Sequence, residues 1–382
     1  MAECEKLSAL GIDIRLFNNF CILPGFTDVH VHLREPGFLY KETVATGTKA
    51  AAAGGFADIM SMPNLKPVPD CTENLKVQLD AIAEDACVHV YPYGAITIGQ
   101  MGREGADLES MAGDVIAFTD DGKGVMDDEL MRDAMIRAKH LNKLIVAHCE
   151  DENYPKESSE AEWMQLKRDL ELVRETGCAY HMCHVSTKES VELIRQAKAE
   201  GLDVTAETAP HYLVFNRDNI EDDGRFKMNP PIKQEEDRLA VIEGLKDGTI
   251  DMIATDHAPH SAEEKNGGMS GAAFGIVGLE TCMPVMYKYM VEPVILNMDQ
   301  LVRLMYINPR ERFGLDAPDL EHILAGDAPS FAIWNLEEEY TVNPEEFETK
   351  GRSTPFDGMT VKGRCVMTVV DGKVVYSRFE EK

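Results

Sequence analysis

From residue 20 onward the chain alternates short apolar runs with longer stretches whose apolar residues recur at helical spacing. The runs CILPGFTDVHVHL (21–33), FADIMSMPN (56–64), CVHVYPYGAI (87–96), KLIVAHCE (143–150), CAYHMCHVS (178–186), LDVTAETAP (202–210) and TIDMIATDHAP (249–259) predict strands. AFTDD, inside DVIAFTDDGKGV (114–125), predicts another. Between them ETVATGTKAAAAG (42–54), CTENLKVQLDAIAEDA (71–86), DDELMRDAMIRAKHLN (127–142), WMQLKRDLELVRETG (163–177), KESVELIRQAKAEG (188–201) and RLAVIEGLKDG (238–248) predict helices, the first stopped by Gly54 and Gly55. Strand and helix taking turns at this spacing imply βα units with right-handed crossovers, hence a parallel sheet covered by helices. About seven such units before residue 260 suit a closed barrel better than an open sheet.

The rhythm then stops. DAPSFAIWNLEEEYTV (327–342) and TVKGRCVMTVVDGKVVYSRF (360–379) lack helical periodicity, and VVDGKVVYS sets an Asp-Gly turn between β-branched runs, which is a hairpin signal. The expected organisation is a barrel over 21–326 and a small β unit from 327–382, with a partial β segment from 1–20 in which DIRLF is the one candidate strand. NLEEEY reads as a solvated face.

Composition excludes several classes. A chain of 382 residues with 44% hydrophobic and 27% charged residues is globular rather than disordered. Lys and Arg number 38 against 67 Asp and Glu, and the formal net charge of −29 works against gripping phosphate backbones or anionic lipid. Neither nucleic acid nor membrane is therefore expected as a partner, and no apolar run approaches the roughly 20 residues of a spanning helix. Nine cysteines without a C-x-x-C pair, and a start lacking a basic, apolar and small-residue series, lead us to expect a cytoplasmic protein.

Candidate chemistry lies at strand ends. His30 and His32 close the first predicted strand in D-V-H-V-H-L-R, and residues i and i+2 of a strand point to one face. His148 closes LIVAHCE, His184 closes YHMCHVS and Asp256 closes IDMIATDH. Five metal-competent side chains at the C-terminal edge of barrel strands would converge on one mouth. Nitrogen and carboxylate donors without thiolate suit zinc, with Mn, Co or Fe as substitutes. Asp120 and Asp121 end the AFTDD strand, and a carboxylate shared between two ions would reduce their repulsion. Spacing alone does not decide whether Asp120, Asp121 or neither takes that place. Arg34, Asn64, Asn229 and His260 are polar groups near the same edge, and an arginine beside a cationic site points to a substrate carboxylate. A salt bridge from Arg34 to Glu35 is the structural alternative, and Lys233 reads equally as a surface lysine.

Taken together, PGFTDVHVHLREPG (24–37), MPNLKPVPD (62–70), FTDDG (118–122), AHCED (147–151), CHVSTKES (183–190), TAETAPHYL (205–213), KMNPPIK (227–233) and ATDHAPHSAEEK (254–265) resemble the dihydroorotases of the metal-dependent amidohydrolase superfamily, over about residues 20–315. The resemblance implies a (β/α)8 TIM barrel with a small β-sandwich from both chain ends. It also implies reversible interconversion of (S)-dihydroorotate and N-carbamoyl-L-aspartate in de novo pyrimidine biosynthesis. Carried over by position, it gives two zinc ions per chain, one held by His30, His32 and Asp256 and the other by His148 and His184. Asp121 would take the bridging place that a carboxylated lysine fills in related branches. Arg34, Asn64 and His260 would bind the substrate carboxylate, Asn229 would contact the ring, and Asp256 would carry the proton. A homodimer, and association with aspartate transcarbamoylase, belong to the same expectation.

Two departures stand out. Only about twenty residues precede PGFTDVH, so the β-sandwich is expected to be incomplete, and the stretch from Glu152 to Lys167 is shorter than is usual in the family. The short stretch could open the site, change the substrate range or mark lost activity. Two rival readings follow: another cyclic amide hydrolase such as a hydantoinase or allantoinase, and a catalytically silent partner of aspartate transcarbamoylase. The Gly-rich segment NGGMSGAAFG (266–275) is compatible with a lid or a passive loop.

Overall fold

The computed structural model describes residues 20–318 and 327–379. The DIRLF candidate strand, with the rest of 1–19, and residues 319–326 at the end of the expected barrel segment lie outside the described residues.

A barrel forms from parallel staves. Strand β2 (Phe26–Val31) pairs with β3 (Phe56–Ser61), and β3 with β4 (His89–Pro92). Farther on, β5 (Ile145–Ala147), β6 (Tyr180–Met182), β7 (Val204–Thr208) and β8 (Met252–Ile253) pair in sequence order. Two gaps are closed by isolated parallel bridges. Phe118 lies between Gly94 and Ile145, and Val31 meets His257, joining the first stave to the last. Every residue of β2 and β3 is buried, as expected of barrel strands covered on both faces. Helices Val44–Ala53, Thr72–Asp85, Asp128–His140, Glu160–Thr176, Lys188–Ala199 and Glu235–Asp247 fall on the predicted stretches, with ends shifted by a few residues.

The AFTDD strand is not formed; Phe118 alone bridges its neighbours. The Asp120 carboxylate accepts the Ile96 and Thr97 amides at 2.8 and 3.1 Å, and the Thr119 hydroxyl accepts the Asp121 amide at 3.0 Å. Side chains thus take donors that a longer ladder would have used.

The second sheet is antiparallel, in the order β1 (Cys21–Pro24), β9 (Phe331–Thr341), β10 (Thr360–Val370), β11 (Lys373–Ser377). Cys21–Pro24 therefore pairs in this sheet and not in the barrel, a correction to the boundary expected at residue 21, and the first barrel strand starts at Phe26. Asp371 and Gly372 turn the β10–β11 hairpin with φ of 48° and 73°, the left-handed pair that a two-residue type I′ turn requires. Trp334 of β9 is fully buried and anchors this sheet on the barrel. A Cβ on Gly55 would lie 2.3 Å from its indole, so only glycine fits there.

A polar contact also ties the hairpin to the barrel floor. His89 donates from Nδ1 to Asp58 at 3.0 Å and from Nε2 to Asp371 at 2.9 Å, and Arg310 pairs with the other Asp58 oxygen. The Asp58 bond, opposed by partial burial and reinforced by Asp371, raises the His89 pKa from 6.5 to about 9. A pKa raised by folding gives stabilisation that is complete below the unfolded value and lost as pH rises through the folded one. The melting temperature is expected to fall from pH 6.5 to 9 more steeply in the wild type than in His89→Gln. Parallel profiles would show that the contact carries no such linkage.

Candidate active site

His30 lies in β2 and His32 just beyond it, with their rings 5.3 Å apart. His148 directly follows β5, His184 follows β6 by two residues and Asp256 follows β8 by three. All are buried, and with Asp121 they meet at the C-terminal end of the barrel. His30 Nε2 is 3.3 Å from Asp121 and 3.4 Å from Asp256, and His32 Nε2 is 3.4 and 3.2 Å from the same two carboxylates. His148 Nδ1 and His184 Nε2 face each other at 2.8 Å and lie 3.7 and 3.8 Å from Asp121 Oδ1. Two groups of possible metal donors result, His30–His32–Asp121 and Asp121–His148–His184, each within 4.8 Å, and Asp121 is common to both.

The imidazoles are oriented from outside the cluster. His30 Nδ1 donates to Glu207 at 2.7 Å, His32 Nδ1 to Asn64 at 2.8 Å and His148 Nε2 to Glu150 at 3.0 Å. Fixing the proton on the outer nitrogen leaves the inner lone pair turned inward, as metal-ligating histidines require. Inside the cluster, His30 Nε2 and Asp121 Oδ1 are buried with no hydrogen-bond partner, a costly arrangement that a divalent cation would relieve. This donor set fits such an ion. A third buried group, His30–Cys183–Glu207, fits less well, because burial pushes the Cys183 thiol far up and His30 already spends Nδ1 on Glu207. Burial opposes ionisation of Asp121 and Asp256, yet His30 beside them holds both well below the usual carboxylate range.

The backbone is strained at the same place. Among the described residues seven non-glycine positions have positive φ, and Arg34 (61°), His184 (35°) and Asp256 (48°) are three of them. Asp28 holds the Asp256 turn from below, accepting the Thr255 hydroxyl at 2.6 Å and the His30 amide at 3.0 Å. Burial raises its pKa to about 7.

A cavity of about 260 Å³ opens over the cluster, and Arg34, Asn64, Asn229 and His260 all line it. Arg34 donates to the Pro259 carbonyl at 3.3 Å and approaches His260 at 3.5 Å; it makes no ion pair with Glu35, whose carboxylate instead caps the Val44 amide. His260 donates to the Phe274 carbonyl at 2.8 Å, and burial, with Arg34 and Lys41 beside it, lowers its pKa to about 4. It is a neutral imidazole at pH 7. Asn229 donates to Glu150 at 2.6 Å. Asp120 turns away to the Ile96–Thr97 backbone, so of the adjacent pair it is Asp121 that enters the cluster.

Four contributors were not singled out from the sequence. Glu207 stands inside the predicted TAETAP strand and Glu150 inside AHCED, and both were quoted only as parts of motifs. Lys156, from the short 152–167 stretch, and Phe274, from the Gly-rich segment, also line the cavity. Lys233 is buried and donates to the carbonyls of Glu157 and Ser158 at 3.3 and 2.9 Å, so it pins the short stretch instead of lying free on the surface. The Gly-rich segment is held by Lys265, whose ammonium donates to the carbonyls of Ala273 and Gly275.

Comparison with known proteins places these features in context. A family model described as dihydro-orotase-like matches residues 20–163. A dihydroorotase of Bacillus cereus (strain ATCC 10987 / NRS 248) is 46% identical over 393 residues, covering 98% of this chain and 91% of that protein. A dihydroorotase of Bacillus thuringiensis (strain Al Hakam) is 45% identical over the same shares. Among solved structures, the L-hydantoinase (dihydropyrimidinase) of Arthrobacter aurescens superposes with a TM-score of 0.85 at 26% identity, covering 95% of this chain and 87% of that one. The dihydropyrimidinase of Brevibacillus agri NCHU1002 gives 0.83 at 21% identity over 94% and 85%, a likeness of fold.

Proposed function

The chain belongs to the dihydroorotase family of cyclic amidohydrolases, and from its site we propose how it opens and closes the dihydroorotate ring in pyrimidine biosynthesis. The observation that carries this reading is the pair of buried donor groups sharing Asp121, set beneath a cavity that holds Arg34. His30, His32 and Asp256 would hold one zinc ion and His148 and His184 a second, with Asp121 within reach of both groups. Bound ions of this kind acidify a water molecule and polarise a carbonyl oxygen.

The side chains do the remaining work. Arg34, with Asn64 and neutral His260 beside it, pairs with the carboxylate that cyclic and open substrates share. Asn229 faces the ring, and its amide is fixed by Glu150. In hydrolysis Asp256 takes the proton of the attacking water and delivers it to the departing amide nitrogen as the C–N bond breaks. In cyclisation Asp256 removes the ureido proton as the nitrogen attacks the side-chain carboxylate of carbamoyl aspartate and returns it to the departing oxygen, which leaves as water with one further proton taken from solvent. The buried carboxylate next to His30 and His32 is placed to cycle between these states.

Arg34→Ala removes a charge-assisted bond from ground state and transition state alike. The KM for dihydroorotate is expected to rise roughly 10- to 100-fold with a smaller change in kcat; an unchanged KM would remove Arg34 from the carboxylate site. The proposal as a whole is tested by reading metal content by elemental analysis and turnover of (S)-dihydroorotate in one preparation. Near two zinc per chain with turnover supports it. Bound metal with hydrolysis of hydantoin or dihydrouracil and none of dihydroorotate would transfer the chain to the hydantoinase type. The cytoplasmic location, the homodimer and the association with aspartate transcarbamoylase complete this reading, and cell fractionation, sedimentation and copurification test them. No helix among the described residues is long and apolar enough to cross a membrane.

A further inference from the structure

We propose that a basic groove beside the catalytic cavity draws the anionic substrate toward its mouth. The inference rests on the dihydroorotase reading, in which both forms of the substrate carry negative charge, and it adds an account of how they approach an acidic protein. With a formal net charge of −29, the chain as a whole repels an anion. At physiological ionic strength the Debye length is about 8 Å, so distant acids are screened and the charges nearest the mouth decide the approach.

On one side of the mouth those charges are basic. A second cavity of about 400 Å³ adjoins the first, and His260 lines both. Arg225, Lys265, Lys350 and Arg352 line it, against the carboxylates of Asp223 and Asp357. The first two are occupied: Arg225 pairs with Glu221 at 3.1 Å, and the Lys265 ammonium is turned to the carbonyls of Lys227, Ala273 and Gly275. Lys350 and Arg352 are exposed and make no ion pair among the described residues. Backbone carbonyls hold them instead, that of Leu39 taking Lys350 at 2.7 Å and those of Thr349 and Gly351 taking Arg352, the latter at 3.1 Å. A carbonyl fixes a cation in place without neutralising it. Leu39 belongs to the loop between Arg34 and Lys41, and both of those residues approach His260, at 3.5 and 3.2 Å. One imidazole thus stands between the groove and the arginine assigned to the substrate carboxylate, a span over which screening is incomplete.

The double variant Lys350→Gln/Arg352→Gln tests the groove. In dilute buffer its kcat/KM is expected to fall about three- to tenfold below the wild type, with kcat within about twofold. In 1 M KCl, where the Debye length is about 3 Å, the two enzymes should converge. The equilibrium constant fixes the ratio of kcat/KM in the two directions, so the loss must be equal for dihydroorotate and N-carbamoyl-L-aspartate. For the same reason the wild-type to variant ratio at each salt concentration is free of any effect of salt on the equilibrium. Lys350→Arg/Arg352→Lys keeps the charges and should match the wild type. Asp357→Asn removes a carboxylate from the same groove and is expected to raise kcat/KM about twofold in dilute buffer, a sign that damage to the fold would not produce. If the double variant does not fold, Asp357→Asn alone decides, and no gain overturns the proposal. A wild-type to variant ratio that stays at one, or that does not change with salt, also overturns it. Wild type that turns over neither form overturns the dihydroorotase reading and this proposal with it, whereas turnover of both with a salt-independent ratio overturns the proposal alone.

Discussion

Asp256→Asn is expected to lower turnover in both directions by about 10³-fold, the range lost when a positioned proton carrier is removed. The substitution keeps the shape of the side chain and one oxygen, and Asp256 sits where both functions of that oxygen are visible, 3.2 Å from His32 Nε2 and 3.4 Å from His30 Nε2. Asparagine can still face the cluster but cannot accept and return a proton. Metal content by elemental analysis should therefore stay near the wild-type value while kcat collapses. Equal turnover by the variant would remove Asp256 from the proton path, and loss of metal together with turnover would reduce it to a ligand.

The second large effect is removal of the ions. Dialysis against a chelator is expected to abolish turnover and to lower the melting temperature, with both restored by zinc. An ion held a thousandfold above its Kd contributes about 4 kcal/mol to stability, which for a domain of this size is a shift of several degrees. The cluster also predicts how the loss divides. Asp121 is common to both donor groups, whereas His184 belongs to one. Asp121→Ala should strip metal from both positions, and His184→Ala from one, leaving about half the wild-type metal content. Equal losses in the two variants would contradict a shared carboxylate.

Much of this site was legible before any coordinates because its residues sit where barrel strands end. His30 and His32 share a face by strand periodicity, and His148, His184 and Asp256 each terminate an apolar run, so one inference about position served all five. Asp120 and Asp121 could not be separated that way. They are adjacent, both acidic and both buried, and the difference lies in which backbone amides happen to be near: Ile96 and Thr97 claim Asp120. Glu207 escaped notice for a related reason. A glutamate in a strand reads as a solvent-facing position, but its two oxygens are taken by His30 and His181, partners far away in the chain. Lys233 looked like a surface lysine because sequence records its charge and not the carbonyls of Glu157 and Ser158 that it reaches. In the fold, the βα rhythm located the helices well, while Cys21–Pro24 ran on into the first barrel strand with only Gly25 between them. Its pairing with β9 is a long-range fact that local pattern does not carry.

That pairing sets an order of events during synthesis. Cys21 lies opposite Trp334 and Pro24 opposite Phe331, so a strand made near the start has its partner about 300 residues later; at about 5–20 residues per second the wait is on the order of 15 to 60 s. The barrel seam between Val31 and His257 matures on a similar schedule. Through that interval the emerging chain presents unpaired strand edges, the hazard that invites association with other chains. Translation speed and chaperone supply therefore bear on how much of the chain reaches the folded state, alongside its final energy.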